Sequence, residues 1–243
     1  MPRKKRVLNR YRLVEQIAAG GTAHVWRAVD EQLDRQVAVK LLHPHLLPDE
    51  TSRLRLAAEA RAAAGLSHPG IAAVYDVSAG GSQPALVMEL VDGDSLATRL
   101  RRDGPLEPRQ AARLVIQVAE ALYHAHQRGV IHRDVKPGNI LLERESGRAR
   151  LIDFGISHSL EAGTDQLTAT GTSLGTPRYM APEQLAGEPV VPRTDLWGLG
   201  AVLHECLTGR PAFDGASPLA IARRQLAGPP DLDGLPPPLA ALV

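Results

Sequence analysis

The chain has 243 residues, 44% of them hydrophobic and 23% charged, with a formal net charge of +1. That length and apolar content suffice to bury a core, as one large domain or two small lobes, and the near-neutral balance gives no general attraction for nucleic acid or membrane. The single Cys206 excludes an internal disulfide framework and reads as a buried thiol in a reducing compartment; there is no uninterrupted apolar run of roughly eighteen residues, and MPRKKR leads into polar sequence rather than the apolar segment of a signal peptide.

Taken in chain order, residues 1–10 read as a basic tail, the cluster Arg3–Arg6 being solvated rather than seated on an acidic lipid surface. Residues 12–17, 23–30 and 36–42 have the length and β-branched content of strands. The Ala- and Arg-rich stretch 51–66 predicts a helix, capped by Asp49 or Thr51 and stopped near Gly65 and His68-Pro69. Strands at 71–77 and 85–90 then complete a five-stranded antiparallel sheet. After an Asp92-Gly93 turn the pattern becomes helical, over 95–102, 107–128 ended by Gly129, 194–207 and 218–227. Residues 229–238 are proline-rich, and no internal repeat is present.

Two short segments interrupt the helical half: HRDVKPGN at His132–Asn139 and DFG at Asp153–Gly155. Between them Ile140-Leu141-Leu142, a polar turn with Ser146-Gly147, and Leu151-Ile152 read as a β-hairpin. A hairpin brings its open ends together, so Asn139 and Asp153 are predicted side by side with Asp134 close upstream. Hard oxygen donors in that arrangement suit Mg²⁺, which uses few protein ligands and completes its shell with water and phosphate oxygens. That is an arrangement for phosphoryl transfer. Lysine usage points the same way. Of 28 basic residues only Lys4, Lys5, Lys40 and Lys136 are lysine, and a compact ammonium contacts phosphate oxygens as a planar guanidinium does not.

With these segments the chain resembles the eukaryotic-like serine/threonine protein kinases, most closely their bacterial branch. From Tyr11 onward the motifs follow the family's order: a glycine-rich segment, VAVK at Val37–Lys40, a helix with Glu59, HRD, DFG, APE at Ala181–Glu183 and DLWGLG at Asp195–Gly200. The resemblance implies an α+β, bilobal protein-kinase fold. Residues 11–91 would form a small antiparallel-sheet lobe with one key helix, and residues 92–243 a mainly helical lobe. The family's last helices would lie beyond Val243, which suggests a fragment of a longer protein or a member that has lost part of the lobe.

The resemblance also implies roles. Ile17, Gly20, Val25, Ala38, Met88, Glu89, Val91 and Leu141 would contact the nucleotide, with Met88 as gatekeeper and the Glu89–Val91 backbone bonding the adenine edge. Lys40 would hold the α- and β-phosphates and pair with Glu59. Asp134 would orient the acceptor hydroxyl and take its proton, Lys136 would neutralise the transferring phosphoryl group, and Asn139 and Asp153 would ligate the metal. His132, Phe154, Asp195 and Glu183 would be structural, Glu183 by pairing with an arginine later in the large lobe. The family's GxGxxGxV pattern is altered, Ala18 and Ala23 standing where the first and third glycines fall. Arg133, beside Asp134, would receive a phosphate placed on Thr168 or Thr170 in a Thr-rich loop.

The implied activity is ATP-dependent transfer to protein Ser/Thr hydroxyls by a non-specific serine/threonine kinase. Mg²⁺ or Mn²⁺ would be the cofactor, autophosphorylation within a homodimer the activating step, and bacterial signal transduction the context. Protein substrates are expected, with no nucleic acid and no membrane span. The location would be cytoplasmic, or the intracellular part of a membrane-anchored kinase. A pseudokinase that binds ATP or acts as a scaffold, and a small-molecule phosphotransferase of related fold, are the alternatives. APE and the Thr-rich loop speak against the latter.

Overall fold

The computed structural model describes residues 6–47, 49–80, 83–154 and 177–243. These form two compact units, one of residues 6–67 and 72–91, the other of 68–71, 92–154 and 177–243.

The first unit is a six-stranded antiparallel sheet with one long helix. Strands β1 (Arg6–Val7), β2 (Tyr11–Ala19), β3 (Ala23–Asp30), β4 (Arg35–Leu42), β5 (Val74–Ser78) and β6 (Ala85–Glu89) lie in the order β1-β2-β3-β4-β6-β5. Helix α1 spans Glu50–Ala64, its N-terminus capped by the Asp49 carboxylate, which accepts from the Ser52 N–H at 2.7 Å. Alternation along β4 assigns its two faces. Val37, Val39 and Leu41 join Val7, Tyr11, Leu13, Ala28, Ala85 and Val87 in one buried cluster, while Ala38 and Leu42 pack with Leu56 and Ala60 of α1 in another. Lys40 therefore belongs to the helix-covered face, and it is buried.

Three expectations need correction in this unit. The sheet has six strands, because Arg6 and Val7 pair with Arg12 and Tyr11 instead of trailing as a tail, Val7 filling the core and Arg6 meeting Glu31 at 2.9 Å. The strand expected from Ile71 begins at Val74; Ile71 forms an isolated bridge with Leu151 in the second unit. Helix α1 ends at Ala64, earlier than Leu66.

The β3–β4 turn is fixed by Asp30, which is fully buried. Its carboxylate accepts two bonds from the Arg10 guanidinium, at 2.7 and 2.6 Å, and further bonds from the backbone N–H groups of Gln32 and Leu33. The Arg10 bonds, opposed by burial and helped by the two N–H groups, hold the Asp30 pKa at about 2, below its ordinary value. A depressed carboxylate stabilises the fold above its unfolded pKa of roughly 4, and that contribution disappears as pH falls through about 2. Asp30→Ala leaves four N–H donors without this acceptor and should cost about 2–3 kcal/mol in urea unfolding at pH 7. The difference from the parent should shrink below pH 3.

The second unit is helical around a small sheet. Strands β7 (Gly93–Ser95), β8 (Ile140–Glu143) and β9 (Ala149–Leu151) are antiparallel in that order. The expected 140–152 hairpin is present, turned at Gly147, whose φ is +67°. The Asp92-Gly93 position is not a simple turn, because Gly93 opens β7 opposite Glu143. A Cβ on Gly93 would fall 1.9 Å from the Leu142 carbonyl oxygen, so only glycine permits that approach.

The helices are α2 (Leu96–Asp103), α3 (Pro108–His126), α4 (Pro182–Leu185), α5 (Pro192–Thr208), α6 (Pro218–Ala227) and α7 (Pro237–Ala240). Ser95 caps α2 and Ser217 caps α6, each accepting from the N–H three residues on. Ala111, Leu114, Val118, Ala121, Leu122 and Ala125 form the buried stripe of α3, at helical spacing, and α3 packs on α5. Cys206 of α5 is buried, which raises its thiol pKa to about 12 and makes it a core residue.

Candidate active site

The strand register groups several of the expected nucleotide residues in the first unit. Lys40 pairs with Val25 on one side and Leu86 on the other, and Ala38 pairs with Met88. Val25, Ala38, Lys40 and Met88 thus form a contiguous patch of sheet, and Glu59 is half-buried on α1. The Glu89 N–H donates to the Ala73 carbonyl at 2.8 Å, and a Glu89 carboxylate oxygen accepts from the Ala73 N–H. Glu89 is thereby tied to the segment leading into β5. Ile17 and Gly20 lie on exposed parts of the β2–β3 hairpin, and Val91 follows β6.

Gly20 closes that hairpin by donating its N–H to the Ala23 carbonyl at 2.9 Å. A Cβ built on Gly20 would meet only that carbonyl oxygen, at 3.8 Å, an ordinary contact. Gly20→Ala should therefore leave stability within about 1 kcal/mol of the parent in thermal unfolding. Any loss of nucleotide affinity in that variant would come from the approach of the ligand.

The second unit carries a polar cluster. Asp134 Oδ2 accepts from Lys136 Nζ at 2.7 Å and from Asn139 Nδ2 at 2.9 Å, and Asn139 Nδ2 also reaches the Asp134 carbonyl at 2.8 Å. The Ile152 N–H donates to the Asn139 carbonyl at 3.0 Å, so the hairpin's open ends meet as expected, with Asp153 the next residue. Asp153 has φ +64° and Arg133 φ +67°. Two non-glycine residues in the left-handed region flank this cluster, a local strain the surrounding structure must hold. Leu141 lies on β8, half-buried.

The holding is visible in α5. Asp195, fully buried, accepts from the His132 N–H at 2.9 Å, the Arg133 N–H at 2.7 Å and His126 Nε2 at 2.7 Å. One turn on, a Cβ on Gly198 would lie 2.8 Å from the Val135 carbonyl oxygen, so α5 presses directly on the loop carrying Asp134. His132 is also buried: its Nε2 donates to the Ile152 carbonyl at 2.9 Å while Nδ1 accepts from the Asp134 N–H, and its ring meets Phe154 at 4.6 Å. From α4, Gln184 Nε2 donates to the Arg133 carbonyl and Gln184 Oε1 accepts from the Ala181 N–H. Glu183 accepts from the Thr194 hydroxyl at 2.7 Å.

His126, Gln184 and Thr194 were not singled out from sequence, and Gly198 was marked only as part of DLWGLG. Thr168 and Thr170 lie outside the described residues. Among the described residues there is no group of three or more His, Cys, Asp or Glu side chains arranged to hold a metal ion, and no helix is long and apolar enough to cross a membrane.

The loop thus presents a carboxylate bracketed by an ammonium and an amide, followed by a hairpin that leads to a second carboxylate. The protein kinase domain model matches residues 11–230. The chain is 42% identical over 226 residues to the serine/threonine-protein kinase PknB of Mycolicibacterium smegmatis, covering 91% of this chain and 36% of that protein. It is 43% identical over 235 residues to the serine/threonine-protein kinase PknA of Mycobacterium tuberculosis, covering 95% of this chain and 53% of that one. The crystal structure of a point mutant of the Mycobacterium tuberculosis PknI kinase domain superposes with a TM-score of 0.77 at 29% identity, covering 99% of this chain and 86% of that one. The chain belongs to the protein kinase family and has its α+β fold. It spans between a third and about half of the length of the curated relatives it matches.

Proposed function

We propose that this chain is a serine/threonine protein kinase domain that transfers the γ-phosphoryl group of ATP to protein hydroxyls. The observation that carries the reading is the Asp134 carboxylate, held by Lys136 and Asn139 on a loop anchored to Asp195. Asp134 orients the acceptor hydroxyl and takes its proton. In a loose transition state this positioning counts for more than basicity. Lys136, on the same carboxylate oxygen, lies where it can share its charge with the incoming phosphoryl group.

Asn139 and Asp153 would hold a divalent ion, Mg²⁺ or Mn²⁺. The donor set fits: both offer hard oxygens, and because the Asn139 amide nitrogen is spent on two Asp134 oxygens, its own oxygen is turned to the other side. When bound, such an ion neutralises charge on the phosphate oxygens. Lys40 grips the α- and β-phosphates and Glu59 supports it. Ile17, Gly20, Val25, Ala38, Met88 and Leu141, with the Glu89–Val91 backbone, take the nucleotide. Arg133 receives a phosphate on Thr168 or Thr170, formed by autophosphorylation between two copies in the cytoplasm.

Incubation with Mg-ATP followed by mass spectrometry tests this reading. Phosphate on serine or threonine, Thr168 and Thr170 first, supports it. A protein that binds ATP and transfers nothing would be a nucleotide-binding scaffold instead.

A further inference from the structure

The tip of the β2–β3 hairpin is held from outside by one side chain. His43, directly after β4, donates its backbone N–H to the Thr22 carbonyl at 3.0 Å, and its ring Nε2 lies 3.3 Å from the Gly20 carbonyl oxygen. A carbonyl only accepts, so this bond assigns the proton to Nε2. The ring is braced on two sides. His24 meets it edge-on with centroids 4.8 Å apart, and His45 stacks on it at 5.6 Å with planes 12° apart. Gln16 Nε2 lies 3.5 Å from His24 Nδ1, linking β2 to the same group.

Such a brace answers a need set by the sequence. Two positions of the hairpin that are glycine in the kinase pattern are alanine here, and Ala18 and Ala23 lie in paired strands. Gly20 adopts no left-handed conformation and has room for a Cβ, so its own geometry does not dictate the tip. Beyond the Gly20–Ala23 bond, the pair of bonds from His43 ties the tip to the end of β4.

We propose that His43 is a positioning residue that, through the Gly20 and Thr22 carbonyls, holds the hairpin tip so that the Gly21 and Thr22 N–H groups are set for the phosphates of the bound nucleotide. The proposal rests on the reading of this hairpin as the nucleotide's cover. Amides already fixed before binding lose less conformational freedom when the ligand arrives, which raises affinity without adding a contact. A partly exposed neutral hydrogen bond sets the scale at about 3- to 10-fold in nucleotide affinity.

The test uses His43→Phe, which keeps a ring between His24 and His45 but has no N–H on that ring, and His43→Gln, which restores a side-chain N–H donor. Two readouts are compared: hydrogen exchange of the Gly20 amide, whose bond to the Ala23 carbonyl closes the hairpin, in nucleotide-free protein, and KM for ATP beside KM for the protein acceptor. In His43→Phe the Gly20 amide should exchange about 3- to 10-fold faster, and KM for ATP should rise by a similar factor with the acceptor KM unchanged. His43→Gln should return both toward the parent. Exchange in His43→Phe equal to the parent's, or an equal rise in both KM values, would overturn the proposal. Because exchange is read without nucleotide, failure of the kinase reading would show separately, as a parent protein that neither binds nor uses ATP.

Discussion

Asp134→Asn should lower the rate of phosphoryl transfer by about 10²- to 10⁴-fold, the range expected when a positioned general base is removed. The fold should survive the change. The asparagine side-chain oxygen can still accept from Lys136 and Asn139, which meet the native carboxylate at 2.7 and 2.9 Å, so thermal unfolding should stay within about 1 kcal/mol of the parent. The loss should fall on kcat with little change in nucleotide affinity, because the role proposed for the carboxylate is on the acceptor hydroxyl. Steady-state kinetics on a protein acceptor, beside nucleotide binding, measures both. A rate within a few-fold of the parent's would remove Asp134 from the chemistry.

Asp195→Ala should instead break the platform. The native carboxylate takes three donors, the His132 and Arg133 N–H groups and His126 Nε2, in a fully buried position. Alanine leaves all three without that acceptor at about 1–3 kcal/mol each before relaxation, so a net loss of about 3–5 kcal/mol is expected. For a chain of this size that is a fall in Tm of roughly 10 °C. Arg133 at φ +67° is held there in part by its bond to Asp195, so the loop carrying Asp134 should relax and transfer should fall even at temperatures where the variant is folded. Asp195→Asn, which keeps one acceptor oxygen, should lie between the two. Calorimetry with activity measured well below each Tm separates the stability loss from the loop's own contribution.

How far the sequence reveals this site depends on how local each signal is. The 140–151 hairpin and the meeting of its open ends at Asn139 and Ile152 were legible because apolar strands and a Ser-Gly turn lie within a few residues of one another. Helices α3, α5 and α6 were legible from their spacing, and α1 from its Ala- and Arg-rich composition, with Asp49 one of the two caps considered. The two-residue β1 and three-residue β7 are too short to show alternation, and β7 exists because Gly93 lets a neighbouring backbone approach. Ile71 resembles a strand residue by composition, yet it bridges Leu151, far along the chain.

The supporting residues were hidden for the same reason. Asp195 was marked by its motif, but its partner His126 is 69 positions away and Gln184 lies 51 from the carbonyl it holds. A lone His or Gln on a helix carries no local signal of such a bond. Glu183 accepts from Thr194, 11 residues on, a bond that the APE motif does not mark.

In the proposed reading, Asn139 and Asp153 complete a divalent-ion phosphoryl-transfer centre around Asp134. The most direct test is the initial rate of γ-phosphoryl transfer from labelled ATP to a protein acceptor, titrated with Mg²⁺, for the parent and for Asp153→Asn, with the labelled amino acid identified. Saturable Mg²⁺ dependence and labelled serine or threonine are expected in the parent, and a rate lower by about 10²-fold or more in the variant at the same Mg²⁺. Equal rates in the two proteins, or a folded, ATP-binding parent that transfers nothing at any Mg²⁺ concentration, would contradict it.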